Sequence, residues 1–154
     1  QLKTLFPDAP DYSYQPIYTC YLQYGEGTRL GFPMIGLASG LVQWVFDRGA
    51  LLGEKGRLAC VISAQGDHQQ ISLDAIAERC HQEVSAAFGP FPRPAWSRVI
   101  AEKRATITCS PGIKEARFSV PGVTLAGDYT DPEYPPTLEA AVRSGVRAAA
   151  QLVP

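Results

Sequence analysis

The sequence is poor in histidine and cysteine, the usual ligands of zinc. Its 154 residues include only two histidines and four cysteines, and no two cysteines have the C-x-x-C spacing of a zinc site. Cys80 and His81 are neighbours, but adjacent residues on a helix do not share a face. We therefore expect reduced, mostly buried thiols of a cytosolic protein and no metal site. The residues concerned are Cys20, Cys60, Cys80, Cys109, His68 and His81.

An excess of positive charge is also missing. Lys and Arg number 14, Asp and Glu number 15, and the net charge is −1. The basic residues are scattered along the chain, which argues against a nucleic-acid partner. With 45% hydrophobic and 19% charged residues, the composition is that of a globular protein with a proper core.

The sequence has neither a signal peptide nor an apolar run of transmembrane length. We therefore expect a cytoplasmic protein that is soluble or makes a peripheral contact with a membrane surface. The chain begins at Gln1 and becomes rich in proline and tyrosine almost at once. This leads us to expect a piece of a longer polypeptide.

A complete dinucleotide-binding fingerprint, G-x-G-x-x-G, is lacking as well. Gly25-Glu26-Gly27 supplies two of the glycines, but Leu30 stands at the third position. Phe32-Pro33 then prevents the helix that must follow. We expect a hairpin-type turn here instead.

Short segments rich in aromatic and β-branched residues alternate with turns that contain glycine. They predict strands over residues 17–24, 34–37, 41–46 and 58–63, a pattern typical of an antiparallel sheet. Ser72 is expected to cap a helix that runs to Phe88 and covers one face of the sheet. Further strands are expected over residues 96–103 and 105–109. The apolar stripe of the helix consists of Leu73, Ile76, Cys80, Val84 and Phe88.

The stretch over residues 120–149 predicts a strand, a turn and a helix. An apolar strand over residues 123–126 ends at Gly127-Asp128, and Pro135-Pro136 suit the first turn of the helix. The helix N-terminus would aim its partial positive charge at the strand end. Gly127 would let a ligand approach the backbone, and Asp128 could accept hydrogen bonds from sugar-like hydroxyls. One face of the helix carries Leu138, Val142, Gly145 and Ala149.

Gly145 is costly in the middle of a helix, by about 1 kcal/mol relative to alanine. With Ala141, Ala148 and Ala149 it forms a face of small residues. We therefore expect another element to pack closely against this face. Each of these features taken alone would also suit any α/β protein.

The order of the features carries a family resemblance. An apolar strand, Gly-Asp, Tyr-Pro-Pro-Thr-Leu-Glu and Ala-Val-Arg-Ser-Gly resemble the C-terminal flavin-binding segment of the FAD-dependent amine oxidase and phytoene desaturase superfamily. Together with residues 43–49, 99–106 and 125–130, they resemble the squalene-associated FAD-dependent desaturases, also called hydroxysqualene dehydroxylases. The likeness extends from about residue 17 to the end of the chain.

The resemblance implies an FAD-dependent oxidoreductase that acts on a long isoprenoid in hopanoid or carotenoid synthesis and converts hydroxysqualene to squalene with reduced FAD. It implies an α/β (α+β) fold. Residues 1–104 would form a substrate-binding domain with a sheet and a helix, and residues 105–154 would complete a Rossmann-like FAD-binding domain. The partner would be the missing N-terminal half, which holds the ADP part of FAD. We expect the chain alone to bind FAD weakly, to be inactive and to self-associate.

The same resemblance assigns cofactor contacts. Asp128 would bind the ribityl chain of FAD, and three neighbours would contact FAD through their backbone, namely Gly127, Thr137 and Leu138. Glu139 would either contact the cofactor or only complement the helix dipole and pair with Arg143. The full set of expected cofactor-binding residues is Gly127, Asp128, Thr137, Leu138, Glu139 and Gly145.

Substrate contacts and catalytic groups are less defined by the residues. Tyr18, Trp44 and Phe46 could line a tunnel for a polyisoprene tail, but aromatic stripes on strands are more often core. Arg104 could touch cofactor or substrate, or form a salt bridge with Glu102. No side chain stands out as a catalytic acid or base.

Two departures from the superfamily pattern bear on the substrate. Thr137 stands where amine oxidases usually carry an aromatic residue beside the flavin, and no lysine lies between Lys3 and Lys55 to match the one that many of them place near flavin N5. Both departures favour an apolar substrate over an amine. The alternatives are a carotenoid desaturase, a flavin-containing amine oxidase, or a non-catalytic lipid-binding or interaction module.

Overall fold

The computed structural model describes residues 11–111, 121–131 and 133–152. No helix in this part of the chain is long and apolar enough to cross a bilayer. In chain order the elements are β1 (Tyr14–Gln23), β2 (Met34–Gly36), β3 (Trp44–Asp47), α1 (Arg48–Leu52), β4 (Arg57–Ser63), α2 (Leu73–Phe88), β5 (Trp96–Ile107) and α3 (Leu138–Leu152), with 3₁₀ helices at Asp67–Gln70 and Asp128–Thr130.

The chain divides into two compact units. Residues 15–105 form one, and the described residues within 11–14 and 106–152 form the other. The sequence predicted that residues 1–104 bind the substrate and that residues 105–154 bind FAD. This assignment stays a prediction.

The five strands form one sheet in the order β2-β3-β4-β1-β5. Cys60 of β4 lies opposite Cys20 of β1 on one side and Val45 of β3 on the other, and both pairings are antiparallel. Met34 of β2 lies opposite Phe46 of β3, again antiparallel. The predicted antiparallel sheet is therefore confirmed.

One face of the sheet holds the hydrophobic core. Alternate residues of a strand point to opposite faces, and on this face the β1 and β4 side chains pack against the buried side of α2. Each fully buried Leu, Ile or Val side chain contributes about 1.5–3 kcal/mol relative to leaving it in water. The central members are Tyr18, Cys20, Leu22, Leu58, Ile62, Ile76, Cys80 and Val84.

Helix α2 starts and ends as its sequence predicts. The Ser72 hydroxyl accepts the Ala75 N–H at 3.2 Å, and the Gly89 N–H donates to the Ser85 carbonyl at 3.1 Å. Leu73 departs from the predicted stripe, because its side chain is 47% exposed. The stripe that reaches the core therefore begins one turn later, at Ile76.

Strand β3 begins at Trp44, three residues later than predicted. The carboxylate of Glu83 on α2 accepts the N–H groups of Leu41 at 2.9 Å and Val42 at 2.8 Å. These two N–H groups are therefore hydrogen-bonded to a side chain and not to a neighbouring strand. Gly40 has a φ of 97°, which residues with a side chain rarely adopt, so glycine is needed where the Glu83 carboxylate meets the loop.

The two strands predicted after residue 95 are one continuous strand, β5. The Ala95 N–H donates to the Gln23 carbonyl at 2.7 Å, and the Thr108 N–H donates to the Ser13 carbonyl at 2.9 Å. The first bond joins the start of β5 to the end of β1, and the second joins the end of β5 to the start of β1. The two strands are therefore antiparallel.

The C-terminal stretch differs from its prediction at two points. Among the described residues from 121 to 131 there is no strand over 123–126; Val123 makes an isolated bridge and is 47% exposed. Helix α3 begins at Leu138, and the Thr137 hydroxyl caps it by accepting the Ala140 N–H at 3.2 Å. The prolines at 135 and 136 therefore precede the helix, because the threonine satisfies its first turn.

Helix α3 buries a different face from the one expected. Its buried residues are Ala140, Ser144 and Ala148, whereas Leu138 and Val142 are 87% and 64% exposed. Residues spaced by four share one side of a helix, so the small buried side and the large apolar side point in opposite directions.

Candidate functional site

Gly127 is held firmly between a turn and helix α3. Its N–H donates to the Ser144 hydroxyl at 2.8 Å, and its carbonyl accepts the Thr130 N–H at 3.0 Å and the Thr130 hydroxyl at 2.8 Å. A Cβ at this position would overlap the ring of Tyr129. Glycine therefore lets the Tyr129 ring pack against the turn, and a side chain here would displace that ring.

Ser144 is a site residue that the sequence reasoning did not identify. It is 2% exposed, and its hydroxyl donates to the Ala141 carbonyl at 2.7 Å while accepting the Gly127 N–H. Both hydrogen-bonding roles of the hydroxyl are thus used inside the protein. The serine fastens the turn to α3.

Asp128 begins the 3₁₀ helix Asp128–Thr130 and is half-buried. Within the part of the chain that the structure describes, its carboxylate makes no hydrogen bond or ion pair. Burial, and then the charges of Asp128 and Tyr14, raise the pKa of the adjacent Tyr129. Among the described residues, the Asp128 carboxylate is thus unpaired and can accept hydrogen bonds.

Asp131 lies at the other end of the same turn, and its side chain is fully buried. Its Oδ1 accepts the N–H groups of Glu133 at 2.9 Å and Tyr134 at 3.0 Å. Its Oδ2 lies 2.8 Å from Arg147 Nη1 and 3.6 Å from Arg143 Nε. Burial by itself would raise the pKa of Asp131, but the Glu133 N–H, the Arg147 guanidinium and the Tyr134 N–H lower it to about 2.

Arg143 joins this cluster from α3. Its Nη2 donates to Glu133 Oε2 at 2.6 Å, and its guanidinium lies 4.6 Å from the centre of the Tyr134 ring, a cation–π distance. The pairing of Arg143 with Glu139, considered from the sequence, is therefore wrong. Glu139 is exposed in the first turn of α3, and the loop acids lie closer to the guanidinium.

The other expected cofactor residues lie on α3 or, in the case of Thr137, directly before it. Thr137 uses its hydroxyl as the helix cap, and Leu138 directs its side chain to solvent. A Cβ built on Gly145 would meet nothing within 4 Å. The close neighbour expected at Gly145 is thus absent from the described residues of this chain.

The aromatic residues considered for the substrate lie on opposite faces of the sheet. Tyr18 is 4% exposed and packs edge-on against His68 in the core, with ring centres 4.9 Å apart. Trp44 and Phe46 lie on the other face, where Trp44 is 45% exposed and Phe46 is half-buried. Of these three aromatic residues, only Tyr18 is therefore part of the hydrophobic core.

Arg104 lies on β5 and is exposed. Its backbone N–H donates to Glu102 Oε1 at 2.9 Å, so the glutamate contacts the arginine main chain.

Three of the four cysteines, Cys20, Cys60 and Cys80, are free and buried, and Cys109 is free and exposed. Hydrogen bonding to Cys80, followed by burial, raises the pKa of the Cys20 thiol. Such thiols are unreactive.

The family model described as flavin containing amine oxidoreductase matches residues 10–153. The chain therefore belongs to the flavin-containing amine oxidoreductase family, and this membership implies a flavin cofactor. The resemblance carried by residues 43–49, 99–106 and 125–130 is confirmed at the level of the family.

Relatives of this chain carry the name hydroxysqualene dehydroxylase. The one from Rhodopseudomonas palustris is 31% identical over 151 residues, which cover 88% of this chain and 32% of the relative. The one from Sinorhizobium fredii is 32% identical over 122 residues, which cover 76% of this chain and 28% of the relative. The chain thus spans about a third of the length of these relatives.

A crystal structure of a protoporphyrinogen oxidase-like protein from Exiguobacterium sp. 255-15 has a similar fold. The TM-score is 0.60 over 73% of this chain and 28% of that chain, at 12% sequence identity. At this identity the likeness shows the fold alone.

Proposed function

We propose that this chain is part of an FAD-dependent oxidoreductase that acts on a long isoprenoid of the hydroxysqualene type. The names of relatives at 31% and 32% identity support the substrate class. The observation that carries the proposal is the half-buried carboxylate of Asp128, which has no partner among the described residues and directly follows a glycine anchored to α3.

The residues present fit one part of FAD. A carboxylate without a partner can accept hydrogen bonds from the hydroxyls of a ribityl chain. At the start of α3, the N–H groups of Leu138 and Glu139 have no acceptor among the described residues. With the partial positive charge of the helix end, they suit the electron-rich edge of a flavin ring. FAD supplies the redox chemistry when bound, and these residues bind and orient it.

The half-exposed face of the sheet suits the apolar part of the substrate. Trp44 and Phe46 lie on this face, opposite the side that α2 covers, and Met34, paired with Phe46, is 46% exposed. The aromatic and thioether side chains offer an apolar surface for a polyisoprene tail. Tyr18 is not among the proposed substrate contacts because it is buried in the core. A contact of Arg104 with cofactor or substrate stays a prediction.

The remaining FAD contacts are assigned to a partner region. The sequence contains no G-x-G-x-x-G, which is the usual cradle for the pyrophosphate of a dinucleotide. We assign this role to a nucleotide-binding part of the whole protein and expect that part to cover the apolar side of α3. The chain alone is then inactive and binds FAD weakly or not at all.

A chimera tests the proposal. The matching third of the Rhodopseudomonas palustris relative is replaced by this chain, unchanged or with Asp128→Ala or Asp128→Asn. We expect the unchanged chimera to hold flavin and to form squalene from hydroxysqualene with reduced FAD. A hydrogen bond to a charged group contributes about 1.5–3 kcal/mol, so Asp128→Ala should weaken flavin binding about tenfold to hundredfold. Asp128→Asn keeps an acceptor oxygen and should lose less.

Thermal unfolding of the flavin-free chimeras is the control, because neither substitution should change it. A large loss of stability with unchanged flavin affinity would make Asp128 a structural turn residue. Turnover of an amine or of phytoene without squalene formation would support the other flavoenzyme alternatives. A folded chimera that holds no flavin would contradict the proposed cofactor and favour a non-catalytic module.

A further inference from the structure

We infer that Asp131, clamped by Arg143 and Arg147, is the positioning residue that holds the Asp128 carboxylate in its binding orientation. This inference rests on the proposed role of Asp128 as a flavin contact. It adds a second carboxylate, which does not touch the ligand, to the site described above.

The first step is the way the turn is attached to α3. At one end, the Gly127 N–H donates to Ser144 at 2.8 Å. At the other end, Asp131 Oδ2 lies 2.8 Å from Arg147 Nη1. Ser144 and Arg147 are three residues apart on the helix, so they lie one turn from each other on neighbouring positions. Asp128 lies between the two attachment points and is held by both.

The second step is that Asp131 cannot itself contact a ligand. Its side chain is fully buried, and Oδ1 is occupied by the N–H groups of Glu133 and Tyr134. The Oδ2 atom faces two guanidinium groups, although its 2.8 Å contact with Arg147 does not have hydrogen-bond geometry. The carboxylate therefore acts only through the shape of the turn.

The third step is charge balance. Asp131 and Glu133 carry two negative charges, and Arg143 and Arg147 carry two positive charges, so the described cluster is neutral. The Asp131 side chain is fully buried, whereas the side chains of Arg143 and Arg147 are 36% and 41% exposed. The buried carboxylate therefore depends on its partners more than the partly solvated guanidinium groups depend on it. Asp131→Asn keeps the shape but removes the charge, so two guanidinium groups would face a single acid. The turn should then lose its fixed form.

The first arm of the experiment measures amide hydrogen exchange in this chain. We compare Asp131→Asn, Arg147→Gln and Arg147→Lys, with Asp128→Asn as the matched control. The Glu133 and Tyr134 N–H groups should exchange about tenfold faster in Asp131→Asn, because their charged acceptor becomes a neutral amide oxygen, which forms a weaker hydrogen bond. Arg147→Lys should restore protection that Arg147→Gln loses, and Asp128→Asn should leave exchange unchanged. Unchanged exchange in Asp131→Asn would overturn the clamp.

The second arm measures flavin affinity in the chimera. Asp131→Asn should weaken binding by about as much as Asp128→Asn, and the double variant should be no weaker than the more affected single variant, since coupled residues are not additive. If Asp128→Asn weakens binding and Asp131→Asn does not, positioning is overturned and the proposed function stands. If neither weakens binding, the proposed role of Asp128 fails, and the inference fails with it.

Discussion

The two compact units of the chain are stabilised by different kinds of contact. In residues 15–105, the side chains of Leu22, Leu58, Ile62 and Ile76 are at most 1% exposed. In the other unit, called the C-terminal unit because most of it lies within residues 106–152, α3 buries only small side chains. The turn over residues 127–131 is fastened to α3 by a hydrogen bond and an ion pair. The first unit therefore has a hydrophobic core of its own. In the second unit, polar contacts fasten the turn to α3, and the helix keeps Leu138, Val142 and Val146 exposed.

The largest effect should come from the core of the first unit. Ile76→Ala removes a fully buried side chain, and such truncations cost about 2–5 kcal/mol. Urea unfolding followed by tryptophan fluorescence measures this loss, because Trp44 and Trp96, the two tryptophans of the sequence, both lie in this unit. Leu73→Ala on the exposed side of α2 is the control and should cost about 1 kcal/mol or less. Equal losses would contradict the assigned core.

A smaller and local effect is expected at Ser144. Ser144→Ala leaves the half-buried Gly127 N–H without its acceptor, and we expect a cost of about 1 kcal/mol, the low end of the range for an unsatisfied buried donor. Amide exchange of residues 127–144 should rise, whereas the tryptophan transition of the first unit should stay where it is. Ser97→Ala on the exposed surface of β5 is the control. A shift of the tryptophan transition by Ser144→Ala would show that the two units do not respond separately.

The pH dependence of the C-terminal unit should follow Asp131. Its pKa in the folded chain is about 2, below the ordinary value of 3.8, so the folded state binds fewer protons than the unfolded state in this range. The charged carboxylate thus stabilises the unit fully above the ordinary pKa, and this contribution is lost as the pH falls toward 2. An NMR titration of the Asp131 carboxyl measures this pKa. Asp131→Asn, which has no carboxyl to titrate at this position, is the control. Titration near pH 4 would contradict the clamp.

The smallest effect on stability, with a large effect on association, is expected on the exposed side of α3. Leu138, Val142 and Val146 are 87%, 64% and 66% exposed, and apolar patches of this kind promote association. We expect dimers or larger species in sedimentation velocity and their loss in Val142→Glu. Gln151→Glu adds the same charge on the opposite side of the helix and should leave association unchanged. A monomer over a wide concentration range would contradict this prediction.

The sequence predicted the features whose causes are local. Ser72 and Gly89 mark the ends of α2 because capping depends on residues a few positions apart. The late start of β3 could not be foreseen, since Glu83 reaches the backbone at Leu41 from 42 positions away. In the candidate site, Asp128 could be singled out by its place after a glycine. Asp131 carried only a weak signal, as an aspartate in a proline-containing turn.

Sequence alone thus determined the antiparallel sheet, helix α2 and the existence of α3, because apolar periodicity, caps and turn residues act over short distances. The resemblance to the family was carried by the order of its motifs, and the family model confirms it. Tertiary structure decided which side of α3 is buried, since both the side with Leu138 and the side with Ser144 satisfy helical periodicity. It also decided that Tyr18 belongs to the core. The same holds for the pairing of Asp131 with Arg143 and Arg147, because the acid lies in the turn and the arginines lie on α3, and only folding brings them together.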